Sequence, residues 1–315
     1  MTARSILVYH PEPGDAQGYA RRIKQPRPIF TVIACSSPAE AEPHVADAEV
    51  LYAWNFPRHL LPRAKRLRWV QNMGAGVERF LIPELPKGVA LTRIAGIFGP
   101  WMAEYVLGWC LWHTQRTELF RAQQRESRWR QVDPLRLHGA ELCMVGLGDI
   151  GRTIARAARG VGMRVSGVSQ SGRKAPGVDR VYRARDLGKP LASADFVVLT
   201  VPLTPATRGL IGARELASMK SSAWLINIGR GPLVDGEALL EALSKKRIGG
   251  AILDVFDEEP LPADHPLWKL ENVVITPHIS GPSTPDEIGP IFDDNLRRYL
   301  ARRPLRFEVD RKRGY

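Results

Sequence analysis

The sequence predicts an α/β protein built from two parallel-sheet domains, which we describe as Rossmann-like and flavodoxin-like. Short apolar runs of strand length alternate with helical or turn segments along most of the 315 residues. Alternation of this kind is typical of parallel sheets joined by crossover helices. A glycine-rich turn between a strand and a helix, within residues 141–162, is the second observation, because such turns are typical of doubly wound sheets.

The composition disfavours several other classes of protein. No apolar run is long enough to span a bilayer and no signal peptide precedes the first strand, so we expect a cytoplasmic protein without a membrane partner. The net charge is +12, but the arginines are spread along the chain without a nucleic-acid motif. This favours a basic surface that attracts anionic substrates over a nucleic-acid partner. Cys35, Cys110 and Cys143 lie far apart, which favours buried free thiols and no metal site.

Residues 1–97 are predicted to form a compact α/β unit, with strands at residues 6–9, 29–34, 50–54, 67–71 and 89–92. Two loops at the carboxyl ends of these strands are candidates for ligand binding. One carries the bulky Trp54, which we expect to limit the size of a substrate. The other leads into a predicted helix, and its bare amides could hold a carboxylate, with an ordinary tight turn as an equal alternative. Its residues are Met73, Gly74, Ala75 and Gly76.

Residues 99–125 predict one long helix, which is apolar around much of its circumference and therefore buried. A strand at residues 142–145 follows, and after it the chain carries Gly146, Gly148 and Gly151 in G-x-G-x-x-G spacing. The first glycine permits a tight turn, the second a close approach of backbone to a pyrophosphate, and the third close packing of helix on strand.

A dinucleotide site is therefore predicted at this turn. The helix that follows begins near Asp149 and Ile150, and its first N–H groups, with the positive end of the helix dipole, are suited to phosphates. The alternative is a glycine-rich turn that binds nothing.

The segment after the next strand, at residues 164–168, indicates which dinucleotide is bound. A carboxylate here would bind the free ribose 2′-hydroxyl of NAD(H), but residues 150–178 contain no Asp or Glu. Hydroxyl and cationic side chains suited to a 2′-phosphate stand there instead: Ser169, Ser171, Arg173 and Lys174. NADP(H) is therefore the preferred cofactor and NAD(H) the second candidate, while a loop that is basic by chance is the alternative.

Further strands are predicted at residues 195–201, 223–228, 250–253 and 273–276, and helices at 236–245 and 285–302. Loops after three of these strands carry Arg230, Glu259 and His278. Arginine can bind a carboxylate or polarise a carbonyl, histidine can donate a proton to the carbonyl oxygen, and a carboxylate can orient the histidine and favour its charged form. At a nicotinamide this set indicates carbonyl reduction, whereas each residue alone would more often be a surface or structural residue.

Several segments together carry a family resemblance: residues 74–76, 102–106, 145–151, 202–205, 207–209, 227–231, 254–260 and 277–280. On these motifs, which occur in order along essentially the whole chain, the sequence resembles the D-isomer-specific 2-hydroxyacid dehydrogenases. It is most similar to their glyoxylate/hydroxypyruvate reductase branch.

The resemblance implies roles for the candidate residues. Arg230 falls on the family's catalytic arginine, Glu259 on its acid and His278 on its proton donor. Further cofactor-binding positions implied by the motifs are Val201, Pro202, Thr207, Ile228, Gly229, Asp254, Ser280 and Gly281. The resemblance also implies a discontinuous substrate domain of residues 1–97 and 284–315, a cofactor domain of residues 98–283, an active-site cleft between them, and a homodimer built on the cofactor domain.

We therefore expect NADPH-dependent reduction of small 2-keto acids, with glyoxylate and hydroxypyruvate as the best-fitting substrates. One alternative is a reductase of larger 2-keto acids. The other is a nucleotide-sensing binding protein similar to transcriptional corepressors, because relatives of that kind keep the same Arg230, Glu259 and His278.

Overall fold

A computed structural model describes residues 4–25 and 29–314 of the chain. The chain divides into two compact units. One unit runs to Ile97 and resumes at Ser283, and the other comprises Phe98–Pro282. These limits lie within one residue of the domain limits inferred from the sequence, while the assignment of substrate and cofactor to the two units stays a prediction.

Strands and helices alternate along the described chain. The strands are β1 (Arg4–Tyr9), β2 (Phe30–Cys35), β3 (Ala48–Ala53), β4 (Trp69–Asn72), β5 (Ala90–Thr92), β6 (Glu141–Val145), β7 (Arg164–Ser169), β8 (Arg180–Arg183), β9 (Phe196–Leu199), β10 (Trp224–Asn227), β11 (Gly250–Leu253) and β12 (Val273–Ile275). The α-helices are α1 (Pro13–Arg22), α2 (Pro38–Ala41), α3 (Phe98–Thr114), α4 (Thr117–Arg125), α5 (Asp149–Gly160), α6 (Gly188–Ser193), α7 (Ala213–Ser218), α8 (Gly236–Ser244) and α9 (Pro285–Leu300).

The first unit contains a five-stranded parallel sheet in the order β2-β1-β3-β4-β5. This is the flavodoxin-like order, which reverses between β1 and β3. The apolar run predicted for β1 forms part of the core, where Ile6 and Leu7 are fully buried. The ring of Phe292 on α9 stacks on that of Tyr52, with centroids 4.1 Å apart, so a segment distant in sequence completes this unit.

The second unit contains a seven-stranded parallel sheet in the order β12-β11-β10-β9-β6-β7-β8. Counted from β6, this is the Rossmann order with one additional strand, and the order reverses between β6 and β9. Two clusters of buried apolar side chains pack in this unit. Together the two sheets confirm the predicted fold class of two parallel-sheet domains.

The single long helix predicted for residues 99–125 is wrong, because α3 and α4 are separate helices. Arg116 lies between them in the left-handed region with a φ of 50°, and its guanidinium donates to the carbonyl of Asp133 at 2.7 Å. That partner lies beyond α4, so apolar spacing along the helix could not indicate the break. The expected burial is also incomplete, since Trp101 and Leu111 are each 43% exposed.

The helix predicted after Gly76 is also wrong, because residues 77–83 hold turns in place of a helix. The N–H of Phe80 donates to the carbonyl of Val77 at 2.9 Å. Pro83 and Pro86 follow within a few residues, and proline prevents a helix from propagating through it. Any binding by the loop before Val77 therefore depends on loop amides and not on a helix terminus.

The cysteines are free thiols, and all three are buried. Burial raises the pKa of Cys35 to about 11 and that of Cys143 to about 12, so both remain protonated at neutral pH. Within residues 4–25 and 29–314, no helix combines the length and the apolar character needed to cross a bilayer. The same part of the chain brings no three metal-ligating side chains together at one point.

Candidate active site

Two of the three glycines in the turn after β6 are required by packing within the protein. Gly146 has a φ of 105°, and a Cβ on it would lie 3.0 Å from the backbone nitrogen of Val201. A Cβ on Gly151 would lie 1.9 Å from the carbonyl oxygen of Gly146, so only glycine lets α5 begin this close to the strand. A Cβ on Gly148 would meet no atom within 4 Å, so packing does not require glycine there.

The start of α5 has the properties of an anion-binding site. Gly148 is its N-cap residue, and glycine has no side chain with which to cap the first turn. The first N–H groups of a helix lack intrahelical acceptors, and they carry the positive end of the helix dipole. The backbone from Gly148 through Asp149 and Ile150 can therefore attract a phosphate group.

Thr200 supports the glycine turn from the neighbouring strand, and sequence reasoning missed it. Its Oγ1 donates to the carbonyl of Gly146 at 3.1 Å. It directly follows β9, which lies beside β6 at the reversal of strand order. Val201 and Pro202 come next, and Thr207 closes their loop by donating to the carbonyl of Pro202 at 2.7 Å. Only the order of the strands reveals that this loop faces the glycine turn.

The loop after β7 carries the predicted hydroxyl and cationic side chains. Ser169 Oγ accepts the N–H of Gly172 at 3.1 Å, and Ser171 Oγ accepts the N–H of Arg173 at 3.3 Å. These bonds order the loop and leave both hydroxyl protons for other acceptors. The side chains of Arg173 and Lys174 are exposed, and neither pairs with a carboxylate of the described residues.

Arg230 follows β10 on a tight turn. The side chain of Asn227 donates to the carbonyl of Arg230 at 2.9 Å and so supports that turn. A Cβ on Gly231 would lie 2.0 Å from the carbonyl carbon of Phe256, so glycine lets the turn pack directly against the loop that leads to Glu259. The Arg230 charge lies close enough to help lower the pKa of the Glu259 carboxyl.

The structure brings Glu259 and His278 together as a hydrogen-bonded pair. Oε2 of Glu259 lies 2.8 Å from Nδ1 of His278, and Oε1 accepts the N–H of Phe256 at 3.0 Å. An ionised carboxylate only accepts hydrogen bonds, so Nδ1 carries the proton and Nε2 is left for a reacting group. The side chains of His278 and Glu259 are 41% and 32% exposed, so a substrate can reach the pair.

The Glu259 carboxyl is held in its ionised form. Burial raises its pKa, but the hydrogen bonds from His278 and Phe256, with the charges of His278 and Arg230, outweigh burial and leave the pKa below its ordinary value. The stability contributed by the ionised form is fully present above the unfolded-state pKa of about 4.3. It is lost as the pH falls through the lower folded-state pKa, so the pair is intact throughout the neutral range.

Asp254 holds the turn that carries His278. Its fully buried carboxylate accepts the N–H groups of Ile279 at 2.8 Å and Ser280 at 2.9 Å. Its backbone carbonyl accepts the N–H of His278 at 2.9 Å. His278 has a φ of 56°, which is uncommon for a residue with a side chain and costs free energy. The side chains of Asp254 and Ser280, both predicted to bind the cofactor, are buried beneath this strained turn.

Three other predicted cofactor positions shape the same region by packing. Ile228 is buried directly after β10. A Cβ on Gly229 would lie 2.7 Å from a methyl group of Leu233, and a Cβ on Gly281 would lie 3.4 Å from the side chain of Met102. Substitution of Gly229 by a larger residue would therefore displace its neighbours.

In the first unit, the indole of Trp54 covers the glycine loop. A Cβ on Gly74 would lie 2.3 Å from the indole ring, which explains the glycine. Asn72, which sequence reasoning missed, donates to the carbonyls of Gly74 at 3.0 Å and Gly76 at 2.7 Å. Among the described residues, no acceptor takes the N–H groups of Gly74, Ala75 and Gly76. The carbonyls of Gly74 and Gly76 thus accept from Asn72, and the three amides of the loop have no acceptor among the described residues.

Similarity to known proteins extends over the whole chain. Residues 107–280 match the sequence model of the D-isomer specific 2-hydroxyacid dehydrogenase, NAD binding domain. The chain belongs to this family. The glyoxylate/hydroxypyruvate reductase A of Escherichia fergusonii is 32% identical to this 2-hydroxyacid dehydrogenase over 317 residues, which cover 98% of this chain and 99% of the relative.

Two solved structures are similar to this dehydrogenase. The D-isomer specific 2-hydroxyacid dehydrogenase family protein of Aeromonas salmonicida is 37% identical with a TM-score of 0.91, covering 99% of this chain and 100% of that chain. The NADPH-dependent glyoxylate/hydroxypyruvate reductase of Sinorhizobium meliloti, in complex with NADP and sulfate, is 30% identical with a TM-score of 0.90 and the same coverage. These similarities confirm the predicted family, its glyoxylate/hydroxypyruvate reductase branch and the enzyme class.

Proposed function

We propose that this dehydrogenase reduces small 2-keto acids, in particular glyoxylate and hydroxypyruvate, with NADPH as the hydride donor. The hydrogen-bonded pair of Glu259 and His278, with the Arg230 charge beside it, carries the proposal. A proton donor and a cation together are what reduction of a keto acid requires. Relatives similar over nearly their full length are named glyoxylate/hydroxypyruvate reductases, which supports this choice of substrates.

The residues of the second unit fit a dinucleotide. The uncapped start of α5 suits the pyrophosphate, and the glycine at Gly148, which packing does not explain, permits its close approach. The loops after β9, β10 and β12 lie along the carboxyl ends of the strands, where a nicotinamide binds in such sheets. The proposed cofactor set therefore remains the glycine turn, the loop after β7 and these strand ends.

Each catalytic side chain has one task in the proposed reaction. A reduced nicotinamide held by the proposed cofactor set would supply the hydride for the keto carbon. Arg230 binds the substrate carboxylate or carbonyl oxygen and stabilises negative charge there. His278 donates the Nε2 proton to that oxygen. Glu259 holds the Nδ1 proton and stabilises the charged imidazole until the Nε2 proton has left.

A turnover assay with a panel of 2-keto acids tests the proposal. The loss of reduced nicotinamide is followed by absorbance with glyoxylate, hydroxypyruvate and acids with larger side chains, each with NADPH and with NADH. We expect the highest kcat/KM for the two small acids with NADPH. Faster reduction of the larger acids would favour the second reductase hypothesis. Nucleotide binding without any turnover would favour a nucleotide-sensing protein and contradict the proposal.

Replacing Arg173 with alanine is expected to weaken the use of NADPH and leave the use of NADH nearly unchanged. We propose that Arg173 and Lys174 bind the 2′-phosphate with Ser169 and Ser171, because both cations are exposed on an ordered loop. A charge-assisted hydrogen bond contributes about 1.5–3 kcal/mol, and exposure favours the lower value. The KM for NADPH, measured by steady-state kinetics, should therefore rise by about tenfold.

The matched control for this prediction is Arg214→Ala. Arg214 is an exposed arginine of the same unit, paired with Glu215, and its loss removes the same net charge. Its KM for NADPH should stay at the wild-type value. A wild-type enzyme that prefers NADH to NADPH would contradict the assignment of the 2′-phosphate site.

Replacing Gly76 with proline is expected to weaken keto-acid binding while NADPH binding stays intact. We propose that the amides of Gly74, Ala75 and Gly76 bind the substrate carboxylate, because they lack acceptors within the described residues. Proline removes one N–H, whereas Gly76→Ala keeps it. The KM for glyoxylate should rise in the proline variant and much less in the alanine variant. Loss of NADPH affinity in a fluorescence titration, parallel to the loss of substrate, would contradict this role.

We propose that the enzyme is a homodimer through its second unit. Contiguous exposed apolar surface marks interfaces, and we propose that five exposed large apolar side chains of this unit form such a patch: Trp101, Leu111, Leu119, Phe120 and Trp129. Trp129 is wholly exposed. Sedimentation equilibrium should give twice the mass of the chain, and Trp129→Ser should shift the equilibrium toward monomers. The control Ile29→Ser, at an exposed residue of the first unit, should not. A monomeric wild type would refute the proposal.

A further inference from the structure

A chain of hydrogen bonds links helix α3 to the turn that carries His278. The hydroxyl of Tyr105 lies 2.6 Å from Oγ1 of Thr276. Oγ1 of Thr276 lies 2.5 Å from Oδ1 of Asp254. Asp254 is fully buried and Thr276 is 8% exposed. Neither Tyr105 nor Thr276 has a task in the reaction described above, so the presence of two such hydroxyls requires another explanation.

The carboxylate of Asp254 determines which group donates and which accepts in these two hydrogen bonds. The Asp254 carboxylate already accepts two backbone N–H groups, and an ionised carboxylate donates none. Thr276 therefore donates its proton to Asp254, and its oxygen accepts the proton of Tyr105. Burial raises the pKa of the Tyr105 hydroxyl, so that group keeps its proton and can donate it at neutral pH. Aligned hydrogen bonds of this kind polarise and strengthen one another.

At the end of this series of hydrogen bonds, Asp254 holds the backbone that directly follows His278. The N–H groups accepted by Asp254 belong to Ile279 and Ser280, while His278 itself has a φ of 56°. A strained residue keeps its conformation only when its surroundings hold it. We propose that Tyr105 is a positioning residue, which acts through Thr276 and Asp254 to keep the imidazole of His278 in its proton-donating place. The inference rests on the proposed role of His278.

Activity measurements test the role with matched variants. Tyr105→Phe removes the hydroxyl and keeps the ring, and kcat with glyoxylate should fall about tenfold while the KM for NADPH is unchanged. Thr276→Val should show the same loss, whereas Thr276→Ser keeps a hydroxyl and should keep the rate. Thr114→Val is the control, because this buried hydroxyl of α3 donates to carbonyls of its own helix. It should leave kcat unchanged.

A second measurement follows His278 without turnover. The protein contains seven histidines, and His278→Ala assigns the imidazole NMR signal of His278 in labelled protein. That signal should move in Tyr105→Phe and Thr276→Val and stay in place in Thr276→Ser and Thr114→Val. If the wild type reduces no keto acid but the signal moves, the proposed function fails and the positioning role stands. An unmoved signal with unchanged kcat in Tyr105→Phe overturns the positioning role.

Discussion

His278→Ala should lower keto-acid reduction by about 10²- to 10⁴-fold, which is the usual contribution of a positioned proton donor. Of the three side-chain types in the proposed catalytic set, histidine is the one that ordinarily serves as a proton donor near neutral pH. Arg230 keeps its proton in any folded protein, and Glu259 is ionised because its pKa lies below the ordinary value. The quantity to measure is kcat with saturating NADPH and glyoxylate.

NADPH affinity separates a catalytic loss from misfolding in this variant. The bond from the N–H of residue 278 to the carbonyl of Asp254 belongs to the backbone, and alanine retains it. A fluorescence titration should therefore give nearly the wild-type affinity for NADPH. His59→Ala, at an exposed histidine of the first unit, should leave kcat unchanged. If His278→Ala retains most of the wild-type turnover, the proton comes from another source and the assignment is wrong.

The parts of the structure that the sequence predicts best have determinants that are close together in the chain. The clash that would follow a side chain at Gly151 is with Gly146, five residues earlier, so the spacing of the glycines is sufficient to predict the turn. Most strands are short apolar runs, such as β11 and the central part of β1. Their carboxyl ends could be located without coordinates, and with them the loops that carry Arg230, Glu259 and His278.

The parts that the sequence did not predict depend on distant partners. Tyr105 meets a residue 171 positions later, and Thr200 supports a glycine 54 positions earlier. The break at Arg116 and the exposed edge strand β8 were not predicted either. Neither segment has an apolar periodicity of its own that would indicate it. Asn72 is a partial exception, since it supports a loop only two to four residues away. An asparagine side chain can hydrogen-bond several neighbouring backbone groups, so the sequence alone does not indicate which of them it binds.

Glu259→Gln should cost more activity than its small change in shape suggests. In the wild type, both carboxylate oxygens accept hydrogen bonds, one from the N–H of Phe256 and one from Nδ1 of His278. Glutamine offers one acceptor and one donor group, so it cannot satisfy both. If its amide donates to Nδ1, the imidazole is neutral with its proton on Nε2 and is a poor acid. Removing the orienting carboxylate of a comparable histidine pair costs up to about 10⁴-fold.

The pH–rate profile of Glu259→Gln distinguishes a charge effect from a loss of structure. In the proposed reaction His278 donates a proton, and an ionised carboxylate at hydrogen-bond distance favours the protonated form of an imidazole. Because the pKa of Glu259 lies below its ordinary value, its charge is present across the neutral range in the wild type. The alkaline decline of reduction should therefore come at lower pH in Glu259→Gln. Glu258→Gln, at the exposed residue just before it, should keep the wild-type profile. An unchanged alkaline decline in Glu259→Gln would show that Glu259 does not tune His278.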